Sequence, residues 1–369
     1  MSSPNAIANH PPGAAGDVAR TPVLRVDNIQ AHFLTHYFGV NRDVKAVDGI
    51  TFDVHANEIY GLAGESSSGK TTLIKTIAGA IKPPLRVVGG RVSFSFLPGY
   101  DGLHTAPPDE VERVRWRHLS YIMQGSMNVL NPLRRIRSTF RDFAWRHIGG
   151  SARQFDERVV EHLARVKLDP SVLSAYPHEL SGGMRQRVTI ALATICKPEF
   201  IIADEPTTAL DVVVQKEVLG MIRAIQREMG SSVLFVTHDM GVHAHLTDRL
   251  GIMYGGRLVE EAPTREIFAR PLHPYTTYLI GSLPRIGDDT PKRSLEGSPP
   301  NLADPPPGCR FHPRCPLAMD ICRKEVPALI PTLPGHRVAC HAVNGDGPSV
   351  MPPLLQSERL PLATTEGRA

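Results

Sequence analysis

The sequence predicts an α/β protein with a helical subdomain and a cysteine-bearing C-terminal appendage. Three observations carry this. The apolar run Ile59-Tyr-Gly-Leu-Ala63 enters a glycine-bounded turn and leaves it in the helical pattern Leu73-Ile-Lys-Thr-Ile-Ala78. Two further short apolar runs, Phe200-Ile-Ile-Ala-Asp204 and Ser232-Val-Leu-Phe-Val236, stand beside helical periodicities, as strands buried in a parallel sheet should. Four of the five cysteines, Cys309, Cys315, Cys322 and Cys340, lie close together near the end. At 369 residues the chain is long enough for two domains, or for one large domain with an appendage.

Residues 1 to 22 open with Met1-Ser-Ser-Pro and contain neither a basic nor an apolar signal region, so they are expected to be a disordered tail. Residues 23 to 29 and 46 to 54 alternate apolar and polar side chains, which is strand periodicity. Between them Tyr37-Phe38-Gly39 sets aromatics about 25 residues ahead of the glycine-bounded turn. That turn is the most informative stretch of the chain.

Gly64-Glu65-Ser66-Ser67-Ser68-Gly69-Lys70-Thr71 satisfies G-x-x-x-x-G-K-[ST] between a strand and a helix, the context in which the match is meaningful. Glycine lets the backbone turn tightly enough for successive N–H groups to face one anion, and the following helix adds its own unpaired N–H groups. Lys70 is suited to neutralise the β- and γ-phosphates, and the Thr71 hydroxyl to bind Mg²⁺. Thr72 continues the polar helix start, and Phe38 is the candidate on which a base would stack. A packed aromatic at a strand end is the alternative reading of Phe38.

Beyond the loop helix, residues 87 to 96 read as a hairpin or meander strand, and Leu119-Ser-Tyr-Ile-Met-Gln124 as a short strand ending in glutamine. Residues 134 to 175 are polar and helical, with Phe140, Phe143, Ile148, Phe155, Val159, Leu163 and Leu168 as intermittent apolar contacts. Ser181-Gly182-Gly183 opens a further helix, where a hydroxyl, close backbone approach and free N–H groups coincide; a simple helix cap would look the same. Asp204 and Glu205 end one buried run, at the carboxyl edge where α/β sheets bind ligands. There Asp204 would support a magnesium shell and Glu205 would orient and deprotonate water. Asp211 caps a helix with the stripe Val214, Val218, Met221, Ile222, Ile225 and Met229, and His238 follows the next buried run.

These motifs, in this order, resemble the nucleotide-binding subunit of ATP-binding cassette (ABC) transporters: Gly64 to Thr71, Gln124, Leu180-Ser-Gly-Gly-Met-Arg-Gln-Arg187, Asp204-Glu205, Ala209-Leu-Asp211 and His238. The resemblance implies a P-loop NTPase fold with helical and antiparallel β subdomains. It also implies ATP and Mg²⁺ as cofactors, with the metal at Thr71, Gln124 and Asp204. Glu205 would be the general base, His238 would contact the γ-phosphate, and Gln124 would also sense the membrane partner. Ser181, Gly182 and Gly183 would bind the nucleotide held by an opposing subunit, and Asp211 would help join the two halves. Only one cassette is present, so the second must come from a homologous chain or another copy.

Tyr176-Pro-His-Glu-Leu180, Leu272-His-Pro-Tyr-Thr-Thr-Tyr-Leu279 and Gly335-His-Arg-Val-Ala-Cys-His341 narrow the resemblance to the ATPases of oligopeptide, dipeptide and nickel importers, over residues 23 to 345. That implies two transmembrane permease subunits, an extracytoplasmic binding protein reached indirectly, and a place on the cytoplasmic face of the membrane. Two departures stand out. Relatives usually carry glycine where this chain has Ser67, so a positive φ there would strain the loop and weaken nucleotide binding. The segment after Gln124 also differs, which would alter contact with a permease.

The four clustered cysteines are spaced C-x5-C-x6-C-x17-C behind a proline-rich strap at residues 284 to 308. In a reducing compartment such a group suggests metal more than disulfides. The spacing fits neither a zinc ribbon nor the common ferredoxin runs; resemblance to importers that carry a [4Fe–4S] cluster here favours a cluster, with Zn²⁺ or free thiols as alternatives. The expected organisation is therefore a cassette at 23–262 with its helical part at about 134–190, a four-cysteine domain at 263–345, and disordered residues 346–369.

Composition limits the competing functions. With 41 basic and 37 acidic residues and no long basic run, the chain is not a polyanion-coating protein, and no nucleic-acid partner is expected. A soluble cassette ATPase acting on nucleic acid or ribosomes would be favoured by tandem cassettes or a long coiled coil, and the sequence has neither. A nonhydrolysing regulatory partner is disfavoured by the intact Glu205 and His238.

Overall fold

The structure is a computed structural model that describes residues 21–37, 39–125, 129–208, 210–283 and 295–344. Phe38, residues 284–294 of the proline-rich strap, and most of both tails lie outside the described residues.

Two sheets pack against each other across a shared apolar cluster. Strands β1 (Pro22–Tyr37) and β2 (Val40–His55) pair antiparallel, and β4 (Leu85–Phe94) flanks β1 on its other side, giving the order β2-β1-β4. The first two are longer than the periodicity alone indicates, because pairing continues through several register shifts beyond the buried alternation.

The larger sheet has the order β10-β11-β9-β8-β3-β7-β6-β5. Strands β3 (Ile59–Ala63), β5 (Leu119–Ile122), β6 (Phe200–Asp204), β7 (Ser232–Val236) and β8 (Arg249–Tyr254) run parallel. Every residue of β3, β6 and β7 is buried, which is why their sequences read as continuous apolar runs. Their side chains alternate between two cores. Tyr60, Leu62, Phe200, Ile202, Leu234 and Val236 face the small sheet and helix α1 (Lys70–Ile77). Ile59, Ile201, Ala203, Val233 and Phe235 face helices on the other side.

After the short helix α2 (Pro108–Val114), those helices are α3 (Ile136–Ile148), α4 (Ala152–Arg165), α5 (Gly182–Thr194) and α6 (Val212–Met229). Helix α4 starts with a reciprocal cap between Ser151 and Gln154, and α6 ends at Gly230 in the left-handed conformation, φ 67°. Phe140, Phe155, Val159 and Leu163 are buried in the helical core as their spacing predicts. Phe143 is not. It remains 43% exposed and lies against Trp116, with ring centroids 5.2 Å apart.

The C-terminal region departs from the expectation of an appendage held by a strap. Strand β9 (Arg257–Pro263) pairs antiparallel with β8, and β11 (His336–Val338) pairs with β9, followed outward by β10 (Ile330–Leu333). Helices α7 (Met240–Leu246), α8 (Thr264–Ala269), α9 (Pro274–Gly281) and α10 (His341–Asn344) complete the elements. Two buried carboxylates fasten this extension. Glu260 accepts from Leu272 N (2.7 Å) and His273 N (2.9 Å) and pairs with His336 Nε2 at 2.7 Å. Glu261, 2% exposed, accepts from Tyr60 Oη at 3.0 Å and binds both Arg249 and Arg337. Sequence patterning identifies no such carboxylates, because a buried Glu is recognisable only once its partners from distant segments are known.

Removing one partner of a buried ion pair strands the others, so Glu261→Gln should cost about 3 kcal/mol of unfolding free energy, read by denaturant titration. Glu266→Gln, which loses only the exposed pair with Arg270, should stay within about 0.5 kcal/mol.

Candidate active site

The turn between β3 and α1 is shaped by what lies against it. Gly64 has φ 149° and Gly69 φ 100°; a Cβ on them would stand 2.2 Å from Met253 O and 2.1 Å from Ala46 O. No side chain fits at either position. Ser67 has φ 67°, the left-handed region. A non-glycine residue there costs about 1–2 kcal/mol.

Within the loop the buried Lys70 Nζ donates to Gly64 O (2.6 Å), Glu65 O (2.8 Å) and Ser68 Oγ (3.2 Å). Burial pushes its ammonium down to about 8, and the charges of Glu205, Asp204 and Glu65 oppose the shift. A cleft of about 400 Å³ opens over this loop. Ser66 to Thr72 form its floor, Gln124 and Glu205 one side, and Phe33, Val44, Ala46 and Leu302 the apolar walls. Among the described residues Phe33, on β1, is the aromatic that lines the cleft; Phe38, the candidate for base stacking, lies outside them.

The carboxylates at the end of β6 are held differently from each other. Asp204 is buried and Tyr121 Oη donates to its Oδ2 at 3.1 Å, while Oδ1 is buried with no hydrogen-bond partner. Burial raises its pKa, repulsion from Glu205 adds to this, and Tyr121 with Lys75 and Lys70 opposes. Glu205, at φ 45°, continues past the strand with its N–H on Val236 O at 2.8 Å. Its carboxylate accepts from Gln124 Nε2, Thr208 Oγ1 and His238 Nδ1, each at 2.9 Å. Burial raises the pKa of Glu205, but the hydrogen bonds from His238 and Thr208 and the nearby positive charges outweigh it and hold the group below its ordinary value. Thr208 and Tyr121 were missed by the sequence reading. Thr208 could have been suspected from its position three residues beyond Glu205.

An orphaned, buried carboxylate oxygen has the chemistry that suits Mg²⁺, which takes one or two carboxylates together with phosphate oxygens and water. Thr71 and Gln124 line the cleft, and Asp204 stands at the end of β6 next to Glu205, which also lines it.

Ser181 caps α5, its Oγ accepting from Met184 N at 3.3 Å, and it is exposed and outside the cleft of its own chain. Gly182 and Gly183 form the first turn of that helix; a Cβ on Gly183 would approach Val214 to 3.0 Å. Asp211 caps α6 through Val213 N (3.1 Å) and Val214 N (2.9 Å). Cys309, Cys315, Cys322 and Cys340 are free thiols. Burial pushes Cys315 up to about 12 and Cys340 up to about 11, and the thiols' proximity to one another adds to both. Among the described residues no group of three or more His, Cys, Asp or Glu is arranged to hold a metal ion, so the expected four-cysteine metal centre is not preformed.

Comparison with known proteins agrees with this geometry. Residues 47–208 match the ABC transporter family model, and residues 259–322 match the oligopeptide/dipeptide transporter C-terminal region. The dipeptide transport ATP-binding protein DppD of Caldanaerobacter subterraneus subsp. tengcongensis is 39% identical over 322 residues, covering 86% of this chain and 96% of that protein. The chain belongs to the ATP-binding subunits of ABC transporters. The oligopeptide transport ATP-binding protein AppF of Bacillus subtilis is also 39% identical, over 81% of this chain and 90% of that one. The fold matches the ATP-binding cassette MJ0796 in its dimeric, ADP- and Pi-bound state at a TM-score of 0.56 and 24% identity, over 65% of this chain and 98% of that one. The activity of this family is ATP hydrolysis, and this ABC subunit is an ATPase. No helix among its described residues is long and apolar enough to cross a membrane.

With its ammonium drawn down to about 8 by burial, Lys70 is expected to set a pH limit on ATP binding, because a lysine that neutralises phosphate must be charged. The Kd for a nonhydrolysable ATP analogue should be level below about pH 7 and weaken above about pH 8 by up to tenfold per unit. Isothermal titration across that range checks it, and a flat profile would mean that Lys70 does not titrate there.

Proposed function

We propose that this subunit couples ATP binding and hydrolysis to the uptake of oligopeptides or dipeptides. It would work with a second cassette, homologous or identical, and two transmembrane permeases on the cytoplasmic side of the membrane, which receive substrate from an extracytoplasmic binding protein. The peptide class is supported by the match of residues 259–322 and by the names of the relatives; nickel or another solute is the alternative within the same group.

The observation that carries the catalytic reading is the Glu205 carboxylate, held ionised at the cleft by three donors from three separate segments. In this reading Glu205 accepts a proton from the attacking water, His238 and Thr208 orient the carboxylate, and Gln124 links it to the surface that meets a permease. Lys70 neutralises the β- and γ-phosphates, over which the loop N–H groups also spread. Bound Mg²⁺ would neutralise charge developing on the phosphate oxygens, with Asp204 and Thr71 holding it. Ser181, exposed at the start of α5, and the half-buried Gly182 and Gly183 beside it would close on the nucleotide of the partner. ATP drives closure because only the closed pair contacts it from both sides, which is the differential affinity any such shift requires. The units 23–262 and 263–345 belong to this proposal as one continuous sheet joined through β9 and β11.

Glu205→Gln should bind ATP and accumulate as a dimer by light scattering, with turnover reduced at least a hundredfold. In cells lacking the gene, wild type should restore uptake of a labelled dipeptide and Glu205→Gln should not. Wild-type turnover in the variant would remove Glu205 from its role, and normal dipeptide uptake without the gene would remove the peptide class.

The metal reading of the four cysteines rests on spacing and resemblance. Anaerobic purification followed by iron, zinc and sulfide analysis decides it. Iron and sulfide at about four each per chain would establish a [4Fe–4S] cluster formed by rearrangement of the thiols, about one zinc without sulfide would establish Zn²⁺, and neither metal would leave free thiols.

A further inference from the structure

We propose that Arg314 is a positioning residue for the phosphate-binding loop, acting through Glu65, so that the cysteine-bearing segment sets the subunit's affinity for ATP. Arg314 ends the short turn His312–Arg314, between Cys309 and Cys315 and far in sequence from the loop. Its side chain is only 7% exposed. The guanidinium grips both oxygens of Glu65, Nη1 to Oε2 at 3.0 Å and Nη2 to Oε1 at 3.4 Å. The remaining contacts fix its direction: Nε donates to Glu296 O at 3.0 Å, and Nη1 also donates to Tyr254 Oη at 3.2 Å.

Glu65 is bound a second time by the same region. Its backbone N–H donates to Tyr275 Oη at 2.8 Å, and Tyr275 packs against Tyr254 and Phe311 with centroids 4.6 and 5.5 Å away. That N–H therefore points away from the cleft. The carbonyl of the same residue receives Lys70 Nζ, so any movement of Glu65 moves the lysine that meets phosphate. The far end of the loop is tied to the same segment. Gly256 N donates to Ser68 O at 2.9 Å, and the turn carrying Gly256 is held by Arg310, which binds Gly255 O and Asp48.

Two arginines, each adjacent to a cysteine, thus clamp the loop on either side of Ser66 and Ser67, and Ser67 is the residue in the unfavourable left-handed conformation. A loop strained at its centre keeps its shape only when its ends are fixed. Charge-assisted pairing of Glu65 with Arg314 fixes one end, and the rigid planar fork of arginine suits that task better than lysine.

This inference rests on the ATP-binding reading of the cleft, and the test separates the two. In the full-length chain, Glu65→Gln and Arg314→Gln should each weaken ATP binding and raise KM about tenfold, with kcat at saturating ATP within about twofold of wild type. Arg314→Lys, which keeps the charge but loses the two-pronged grip, should recover only part of the loss. The double variant Glu65→Gln/Arg314→Gln should be no weaker than the weaker single variant, because both lose the same interaction. Should Arg314→Gln fail to fold, Glu65→Gln alone decides, since its carboxylate is partly exposed. Unchanged KM in folded Glu65→Gln, additive losses in the double variant, or a fall in kcat at constant KM would each overturn the proposal. Absence of ATP binding in the wild type would instead overturn the reading of the cleft.

Discussion

The turn from β3 into α1 runs within contact distance of two neighbouring strands, and the shape of the cleft above it depends on that closeness. The loop from Gly64 to Gly69 is pressed between Ala46 O and Met253 O, leaving no volume for a Cβ at either glycine. The strands that supply those carbonyls come from different sheets, β2 from the small antiparallel sheet and β8 from the large one. The cradle is thus a product of how two sheets meet around α1, and the short strand and helix on either side of it depend on that junction.

Charge is distributed around the cradle so that neighbouring groups are driven in opposite directions. Lys70 loses hydration by burial and is drawn down, and Asp204 is raised for the same reason. Glu205, one residue beyond Asp204, leaves the strand in a left-handed conformation and reaches three donors that hold it low. Two adjacent carboxylates therefore acquire different chemistry from different surroundings: one keeps an unpaired oxygen suited to a cation, the other an ionised group suited to a proton. Glu205 leaves the strand at φ 45°, and the two carboxylates meet different partners, Tyr121 for Asp204 and Gln124, Thr208 and His238 for Glu205.

The C-terminal region belongs to the same machine. Glu260 and Glu261 join it to the central sheet through buried pairs with His336, Arg337 and Arg249. Arg310 and Arg314 carry the connection onward to Asp48, the Gly255–Gly256 turn and Glu65. Leu302 completes a wall of the nucleotide cleft, and its carbonyl accepts from Lys45 N at 2.9 Å. A segment that is poor in apolar residues gains order from ionic contacts to a preformed core, and in return it braces the loop that core presents.

The sequence by itself determined the elements whose signal is local. Glycine spacing, the buried apolar runs of β3, β6 and β7, the caps Ser181 and Asp211, and the stripe of α6 are written in consecutive residues or fixed periods. Ser67 also declared itself there, as a side chain where a positive φ was expected. Tertiary structure decided what depends on residues far apart in the chain. It put Phe33 in the cleft, added Thr208 and Tyr121 to the carboxylates, left Phe143 exposed beside Trp116, did not arrange the four cysteines as a ready-made metal site, and made Arg314 a neighbour of Glu65 across 249 positions. Periodicity reports which face of an element is buried, but which polar groups meet on that face is set by strand order, and strand order appears only when the chain has folded.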